Sequence, residues 1–335
     1  MSHHTIIIAE AGVNHNGDIN MARRLIYAAK EAGADYVKFQ TAVPELVISA
    51  YAPKAEYQKE TTGEAQSQLE MCKAIHLPLS AYAELKRICD DVNIGFMSTP
   101  FDRPSIECLE AFDMDYWKIP SGEVTNLPYL RRIARPGRRI ILSTGMSTLD
   151  EVDRAVGILE KGGVQRTDVI LLHCTTQYPT PYEAVNLRAM DALATLGCGG
   201  VGYSDHTVGI AVPLAAVGHG ACVIEKHFTM SRSLPGPDHR ASLEYDELRR
   251  MVQEIRRIDV ALGDGIKIAA DAERSNIEVA RRSIVAARAI AKGEILTEEN
   301  LEVKRPGGGI SPMLWDEIIG TPAIRSFAPD ELIER

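Results

Sequence analysis

The chain has little positive charge to spare: Lys and Arg number 37 against 46 Asp and Glu, a net charge of −9 with an isoelectric point near 5.6. That argues against a nucleic-acid or anionic-membrane surface, while leaving open a local basic pocket for an anionic substrate. Cysteines are few and scattered (Cys72, Cys89, Cys108, Cys174, Cys198, Cys222), without any C-x-x-C pair. The spacing suits neither a disulfide framework nor a zinc site, and points to reduced thiols in a cytoplasmic protein. Long apolar runs are missing too. The N-terminal MSHHTIIIAEAG has no basic region and only a short run of isoleucines, so no signal peptide is expected. The least polar stretch, 207–223, contains Pro213 and His219 and is too interrupted to cross a membrane. Internal repeats and low-complexity tracts are also absent.

What is present is an ordinary globular composition, 45% hydrophobic and 25% charged, which excludes disorder as the dominant state. A length of 335 residues suggests two domains, or one large barrel with an appendage. Short apolar, β-branched runs at 5–9, 35–39, 94–97, 115–119, 139–142, 169–172, 200–202 and 221–224 read as strands. Between them lie amphipathic helices. Residues 18–32 place Ala22, Leu25, Ile26 and Ala29 on one face, and 149–161 places Val152, Ala155, Val156 and Leu159. The second starts at Ser147 or Thr148 with an acidic residue three positions on, a capping-box pattern. Residues 242–262 repeat this logic with Leu248, Met251, Val252 and Ile255.

Eight strands alternating with helices suit a (β/α)₈ barrel, although a doubly wound sheet also alternates. The strand ends discriminate better. Each run leads into polar residues: Glu10; Lys38 and Gln40; Ser98 and Thr99; Lys118, Ser121 and Glu123; Ser143; His173; Ser204 and His206; Glu225 and His227. A barrel gathers all eight carboxyl ends around one mouth, whereas an open sheet spreads them along an edge. The expected fold is therefore an α/β TIM barrel over 1–265, with 41–79 as a long connection that covers the mouth or reaches a partner. A linker is expected over 266–282, followed by a small β-rich domain over 283–335 built from short strands, turns and a glycine loop.

Three groups of residues could carry chemistry. His206 and His227 end consecutive strands, where adjacent imidazoles suit a divalent transition ion and Glu225 can orient a ligand. With two histidines only, a water-rich Mn²⁺ site fits better than structural zinc, while rim histidines satisfied by hydrogen bonds are the plainer alternative. Lys38, Lys118, Ser121, Thr99, Ser143 and Ser204 form an anion-binding set, suited to phosphate or carboxylate. Internal pairing of the lysines with Glu10 and Glu123 competes with that reading, and Lys118 also stands where a Schiff-base lysine would. Lys304-Arg305-Pro306-Gly307-Gly308-Gly309 reads as a basic glycine loop that closes over a ligand or is simply a solvated turn. Asn14-His15-Asn16-Gly17 reads as a loop leading to a helix cap at Asp18.

AEAGVNHNGD (9–18), VKFQT (37–41), STPFD (98–102), WKIPSGE (117–123), LSTGM (142–146), LLHCTTQYPTP (171–181), GYSDHT (202–207), IEKHFT (224–229) and PGPDH (235–239) follow one another in order. Together they resemble the bacterial sialic acid synthase family, and 283–311 resembles its antifreeze-like (SAF) domain. The resemblance covers essentially the whole chain. It implies condensation of phosphoenolpyruvate (PEP) with an open-chain, N-acetylated mannosamine-type sugar to a nine-carbon 2-keto acid and phosphate. It further implies Mn²⁺, or another divalent ion such as Mg²⁺ or Co²⁺, and a domain-swapped homodimer in which one subunit's small domain caps its partner's barrel.

By the same resemblance, His206 and His227 match metal ligands, and Lys38, Thr99, Lys118, Ser121, Ser143 and Ser204 match PEP-binding positions. Gln40, Tyr178, Asp238 and Arg305 match sugar-binding positions. Glu10 matches the acidic residue beside the reacting centre and Glu123 a further sugar-side position; with Glu225 they are the candidate catalytic carboxylates. Where some members carry a PEP-contacting asparagine, this chain has Thr176. Within the family, N-acetylneuraminate synthesis from N-acetylmannosamine is expected first, N,N'-diacetyllegionaminate second and pseudaminate last. Outside it, a Schiff-base pyruvate aldolase and a non-catalytic sugar- or ice-binding protein are the alternatives.

Overall fold

A computed structural model describes residues 4–63 and 65–335; Met1–His3, the start of the stretch read for a signal peptide, lies outside them. Eight parallel strands follow the expected runs: β1 (Ile6–Gly12), β2 (Tyr36–Thr41), β3 (Gly95–Pro100), β4 (Trp117–Ile119), β5 (Ile140–Ser143), β6 (Val169–Cys174), β7 (Gly200–Asp205) and β8 (Val223–His227). Their order is β3-β2-β1-β8-β7-β6-β5-β4, and β3 packs beside β4 without a hydrogen-bonded ladder, so the barrel is nearly closed. This is the TIM-like fold expected from the sequence, in which all eight carboxyl ends meet at one mouth.

The helices form for legible reasons. Asp18 caps Ile19–Ala32 by accepting from the Asn20 N–H, and Gly33 ends it in the left-handed conformation. Thr148 and Glu151 form a reciprocal capping box on Leu149–Lys161. Both helices bury the apolar faces read from their periodicity, as does Tyr245–Leu262. The core has two layers. One fills the space between helices and strands; the other, with Ile8, Met97, Ile141, Leu172 and Val223, plugs the barrel interior. Fully burying one such side chain is worth about 1.5–3 kcal/mol, so the interior plug makes a rigid base beneath the mouth.

The connection after β2 is not a structureless loop. It carries the short helices Pro44–Val47, Glu56–Thr62 and Gln68–Ile75, the last capped by Ser67 with Glu70. Gly17 faces it: with φ at +73° and the Ala74 carbonyl 2.8 Å from where a Cβ would stand, no side chain fits there. The loop from β1 therefore seats directly against the Gln68–Ile75 helix.

The chain divides into two compact units, Met1–Asp264 and Gly265–Arg335. In the second, β9 (Ser283–Ala286) pairs antiparallel with β10 (Leu301–Lys304) over a core of Ile284, Ile290, Leu296, Leu301, Phe327 and Ile333. The stretch 266–282 falls within this unit and holds the helix Arg274–Ala280, whose Glu278 carbonyl accepts from Gly307 N–H at 2.7 Å. The buried Ser283 hydroxyl donates to the Pro306 carbonyl (2.8 Å) and accepts from Gly309 N–H (3.0 Å). Arg305 thus sits, exposed, on a loop held at its base. Among the described residues, no helix is long and apolar enough to cross a membrane.

Candidate active site

The barrel mouth encloses a cavity of about 250 Å³. Thirteen of the residues expected at a site line it: Glu10, Lys38, Gln40, Thr99, Lys118, Ser121, Ser143, Tyr178, Ser204, His206, Glu225, His227 and Asp238. Side chains alternate along a strand, so Lys38 and Gln40, or Ser204 and His206, share the inward face while their neighbours point to the helix layer. Four residues named from the strand ends or the resemblance are not in the cavity lining: Ser98, whose hydroxyl meets Thr41 Oγ1 at 2.6 Å, His173, whose Nε2 meets the Val185 carbonyl at 2.7 Å, Glu123 and Arg305. Glu123 lies on a short helical turn, where its carboxylate accepts from Asn126 Nδ2 at 2.5 Å. Arg305 belongs to the second unit.

Four buried charges occupy the floor. Lys38 Nζ is 2.7 Å from Glu10 Oε2 and 3.7 Å from Glu225 Oε2, and it donates to Thr99 Oγ1 at 3.1 Å. Glu10 Oε1 accepts from Gln40 Nε2 at 3.0 Å, and Glu225 Oε1 from Ser204 Oγ at 3.0 Å. Lys118 differs: it donates to Ser143 Oγ at 2.7 Å, while its nearest carboxylate, Glu225, is 3.8 Å away. Burial disfavours the Lys38 ammonium, but Glu10 and Glu225 outweigh that and hold its pKa above the ordinary value. Burial of Lys118 is only partly offset by Glu225, and its pKa falls. Burial pushes Glu10 up, whereas Lys118 and Lys38 overcome the burial of Glu225 and hold it down. Internal Lys–Glu pairing is thus real for Lys38 and incomplete for Lys118, whose hydrogen-bond partners are neutral oxygens. Lys118, with no carboxylate within hydrogen-bond distance, is the ammonium left for an anionic ligand to pair.

Two buried imidazoles line the same cavity, His227 in register with Glu10. The ring centroids of His206 and His227 are 5.5 Å apart. His206 Nδ1–H donates to the Thr175 carbonyl at 2.6 Å, which leaves Nε2 as the lone-pair nitrogen. Burial holds the His206 pKa down at about 4 and pulls that of His227 well below the ordinary value, so both rings are neutral. His227 Nδ1, buried, has no hydrogen-bond partner; the closest carboxylate oxygen, of Asp238, is 3.7 Å away. Two neutral imidazoles with an unpartnered nitrogen fit a divalent ion. Among the described residues no third His, Cys, Asp or Glu joins them, so other ligands would come from water or substrate. Burial, then the charge of Glu10, pushes Asp238 up to about 7.

Residues that the motifs did not single out complete the entrance. Tyr57 stacks on Tyr178 at 5.2 Å, and Tyr178 in turn lies 4.0 Å from the His206 ring. Gln58, Met71, Cys72, Ile75 and His76 come from the same 41–79 connection, which therefore covers the mouth. Only the unusual length of that connection signalled them. Asn14 Nδ2 donates to the Phe228 carbonyl (2.8 Å) and Ser242 Oγ (2.9 Å), so the 14–17 loop is structural and ties β1 to the segment after β8.

A TIM barrel whose single mouth gathers buried lysines, carboxylates and two neutral imidazoles has the make-up of an enzyme site. Comparison with known proteins specifies which kind. The NeuB family model matches residues 25–267, and the SAF domain matches 281–334. N,N'-diacetyllegionaminic acid synthase of Campylobacter jejuni is 51% identical over 98% of both chains. The protein of that name from Legionella pneumophila is 47% identical over 94% of this chain and 89% of its own. The crystal structure of N-acetylneuraminic acid synthetase from Leptospira borgpetersenii, with citrate, superposes with a TM-score of 0.71 at 36% identity, covering 82% of this chain and 90% of that one. Pseudaminic acid synthase of Helicobacter pylori stands at 33% and human N-acetylneuraminate-9-phosphate synthase at 36%. The chain belongs to the NeuB family, and it is a PEP-condensing transferase of the nonulosonate synthase kind.

Proposed function

We propose that the protein condenses PEP with open-chain 2,4-diacetamido-2,4,6-trideoxymannose and water, giving N,N'-diacetyllegionaminate and phosphate. The observation that carries the choice of sugar is the gap in whole-chain identity between the two legionaminate synthases and the pseudaminate and neuraminate-9-phosphate enzymes. The motifs alone placed N-acetylmannosamine first; similarity along the full length supports the reverse order. The entrance agrees in character. Val13, Tyr57, Met71, Ile75 and Pro237 present apolar surface to a sugar that carries a methyl group and a second acetamide in place of hydroxyls.

Lys38, Lys118, Thr99, Ser121, Ser143 and Ser204 take the phosphate and carboxylate of PEP, two ammoniums and four hydroxyls for two anionic groups. Gln40, Tyr178 and Asp238 orient the sugar, and Arg305 from the small domain of a second subunit closes over its acetamido group in a domain-swapped homodimer. His206 and His227 hold the divalent ion, Mn²⁺ or in its place Mg²⁺ or Co²⁺, which when bound polarises the sugar aldehyde as a Lewis acid. A bond forms between PEP C3 and the aldehyde carbon, and the positive charge left at C2 lies near the buried carboxylates Glu10 and Glu225. Glu123, outside the cavity lining, is less suited to this task. Water adds at C2, and the C2–O bond to phosphate breaks with the leaving phosphate still held by the two lysines. The cover formed by 41–79 limits water and so limits hydrolysis of PEP.

Phosphate release measured with PEP, Mn²⁺ and three sugars separately tests this. The expectation is turnover with the diacetamido-trideoxymannose, lost in EDTA and restored by Mn²⁺; a higher kcat/KM with N-acetylmannosamine returns the assignment to the neuraminate type. A Schiff-base aldolase is the second reading, favoured by the lowered pKa of Lys118. Borohydride with pyruvate leaves Lys118 unmodified in this account, and trapping at Lys118 would support the aldolase.

A further inference from the structure

One charged pair inside the barrel unit plays no part in the chemistry above. Asp205 and Lys226, both 0% exposed, are register partners on β7 and β8. Ser204, His206, Glu225 and His227 line the cavity, so by strand alternation Asp205 and Lys226 face away from it. Lys226 Nζ is 2.5 Å from Asp205 Oδ2 and donates also to the Thr207 carbonyl. Thr207, itself fully buried, closes the network: its N–H donates to Asp205 Oδ1 at 3.1 Å and its hydroxyl to Oδ2 at 3.0 Å.

We infer that this Asp205–Lys226–Thr207 network is a positioning device for the two imidazoles, acting beside the Thr175 carbonyl on the His206 ring and the β1 ladder on His227 to fix the separation at which they hold a divalent ion. The residues on both sides of His206 are tied to the residue just before His227. Asp205–Lys226 is also the last ladder pair between β7 and β8; beyond it the His206 carbonyl accepts from the Thr180 N–H at 2.8 Å, and the backbone of Thr207 is held by this network. The His227 ring, lacking a hydrogen bond at Nδ1, takes its place from its backbone. A buried ion pair adds little net stability over an apolar pair of the same volume, and fixing a geometry is the role left to it.

The test is Mn²⁺ affinity of the full-length protein, from the electron paramagnetic resonance signal of free Mn²⁺, beside thermal unfolding and PEP titration. Asp205→Asn and Lys226→Met should weaken Mn²⁺ binding by about 10-fold, the lower end of what loss of a ligand's direct partner costs, because the network acts on the two ligands through their backbone. Thr207→Val, nearly isosteric, should weaken it less, and Lys226→Arg should recover part of the loss. PEP affinity, which rests on Lys38 and Lys118, should change less than Mn²⁺ affinity in each. Wild-type Mn²⁺ affinity in folded variants, with only the melting temperature lowered, overturns the inference; should Lys226→Met not fold, Thr207→Val decides by the same criterion. The inference rests on the metal reading of His206 and His227, and the two fail separately. If His206→Ala binds Mn²⁺ normally, the metal reading falls; if it loses the ion while the network variants keep it, only the positioning role does.

Discussion

Lys38 Nζ lies 2.7 Å from Glu10 Oε2, with 4% and 1% of the two side chains exposed. Removing one partner of such a pair strands the other charge, at a cost of about 3–5 kcal/mol. Glu225, 3.7 Å from the same ammonium, offsets part of this. Glu10→Gln is therefore expected to lower the melting temperature, and inorganic phosphate to raise it more in the variant than in the wild type. Thermal unfolding with and without phosphate checks both, and equal phosphate effects in the two proteins would contradict the anion role of Lys38.

Gly145 is a second sensitive point. A Cβ there would meet Thr176 Cγ2 at 2.7 Å, Ser121 Oγ at 2.9 Å and Cys174 Sγ at 3.1 Å, while the Gly145 N–H donates to Ser121 Oγ at 2.9 Å. Gly145→Ala pushes Ser121 and Thr176 toward the space assigned to PEP. The expected result is a KM for PEP raised about 10-fold or more, since a misplacement near 1 Å carries that scale of penalty. Steady-state kinetics with PEP varied will show it, and an unchanged KM would place PEP elsewhere.

Arg305 stands on the loop braced by Ser283. Arg305→Ala should raise the KM for the sugar more than that for PEP. Equal effects on the two constants would contradict the capping role and, with it, the swapped dimer.

Acid should destabilise the ligand-free protein through its buried histidines. Burial, then the neighbouring His76, pulls the His15 pKa from 6.5 down to about 4. Below pH 6.5 the unfolded chain binds a proton that the folded one refuses, so stability is complete above 6.5 and lost as the pH falls toward 4. For a fully buried group the loss is roughly 3 kcal/mol. Urea midpoints between pH 7 and pH 4.5 should fall less steeply in His15→Asn than in the wild type. Parallel slopes would show that His15 is protonated in the folded state.

The eight strands were legible because a strand buried on both faces is a short, nearly unbroken apolar run, and the barrel turned the polar residue after each run toward one point. Eleven of the thirteen cavity residues follow from that rule, while Tyr178 and Asp238 lie in loops well past β6 and β8 and were legible only through the family resemblance. Tyr57, Met71 and Cys72 do not, because they reach the cavity from short helices without strand register, and sequence showed only an unusually long connection. Glu123 was grouped with the inner carboxylates by its position after β4, but the helical turn at Ser121–Glu123 redirects it toward Asn126. The Asp205–Lys226 pair was hidden for the opposite reason. Each of its members sits between two cavity residues, and alternation turns both to the side where chemistry was not sought.

Direct competition between sugars in one vessel tests which one the enzyme condenses with PEP. With PEP and Mn²⁺ limiting and equal concentrations of N-acetylmannosamine and 2,4-diacetamido-2,4,6-trideoxymannose, the products are counted by mass spectrometry. N,N'-diacetyllegionaminate is the expected dominant product; an excess of N-acetylneuraminate would contradict the legionaminate assignment.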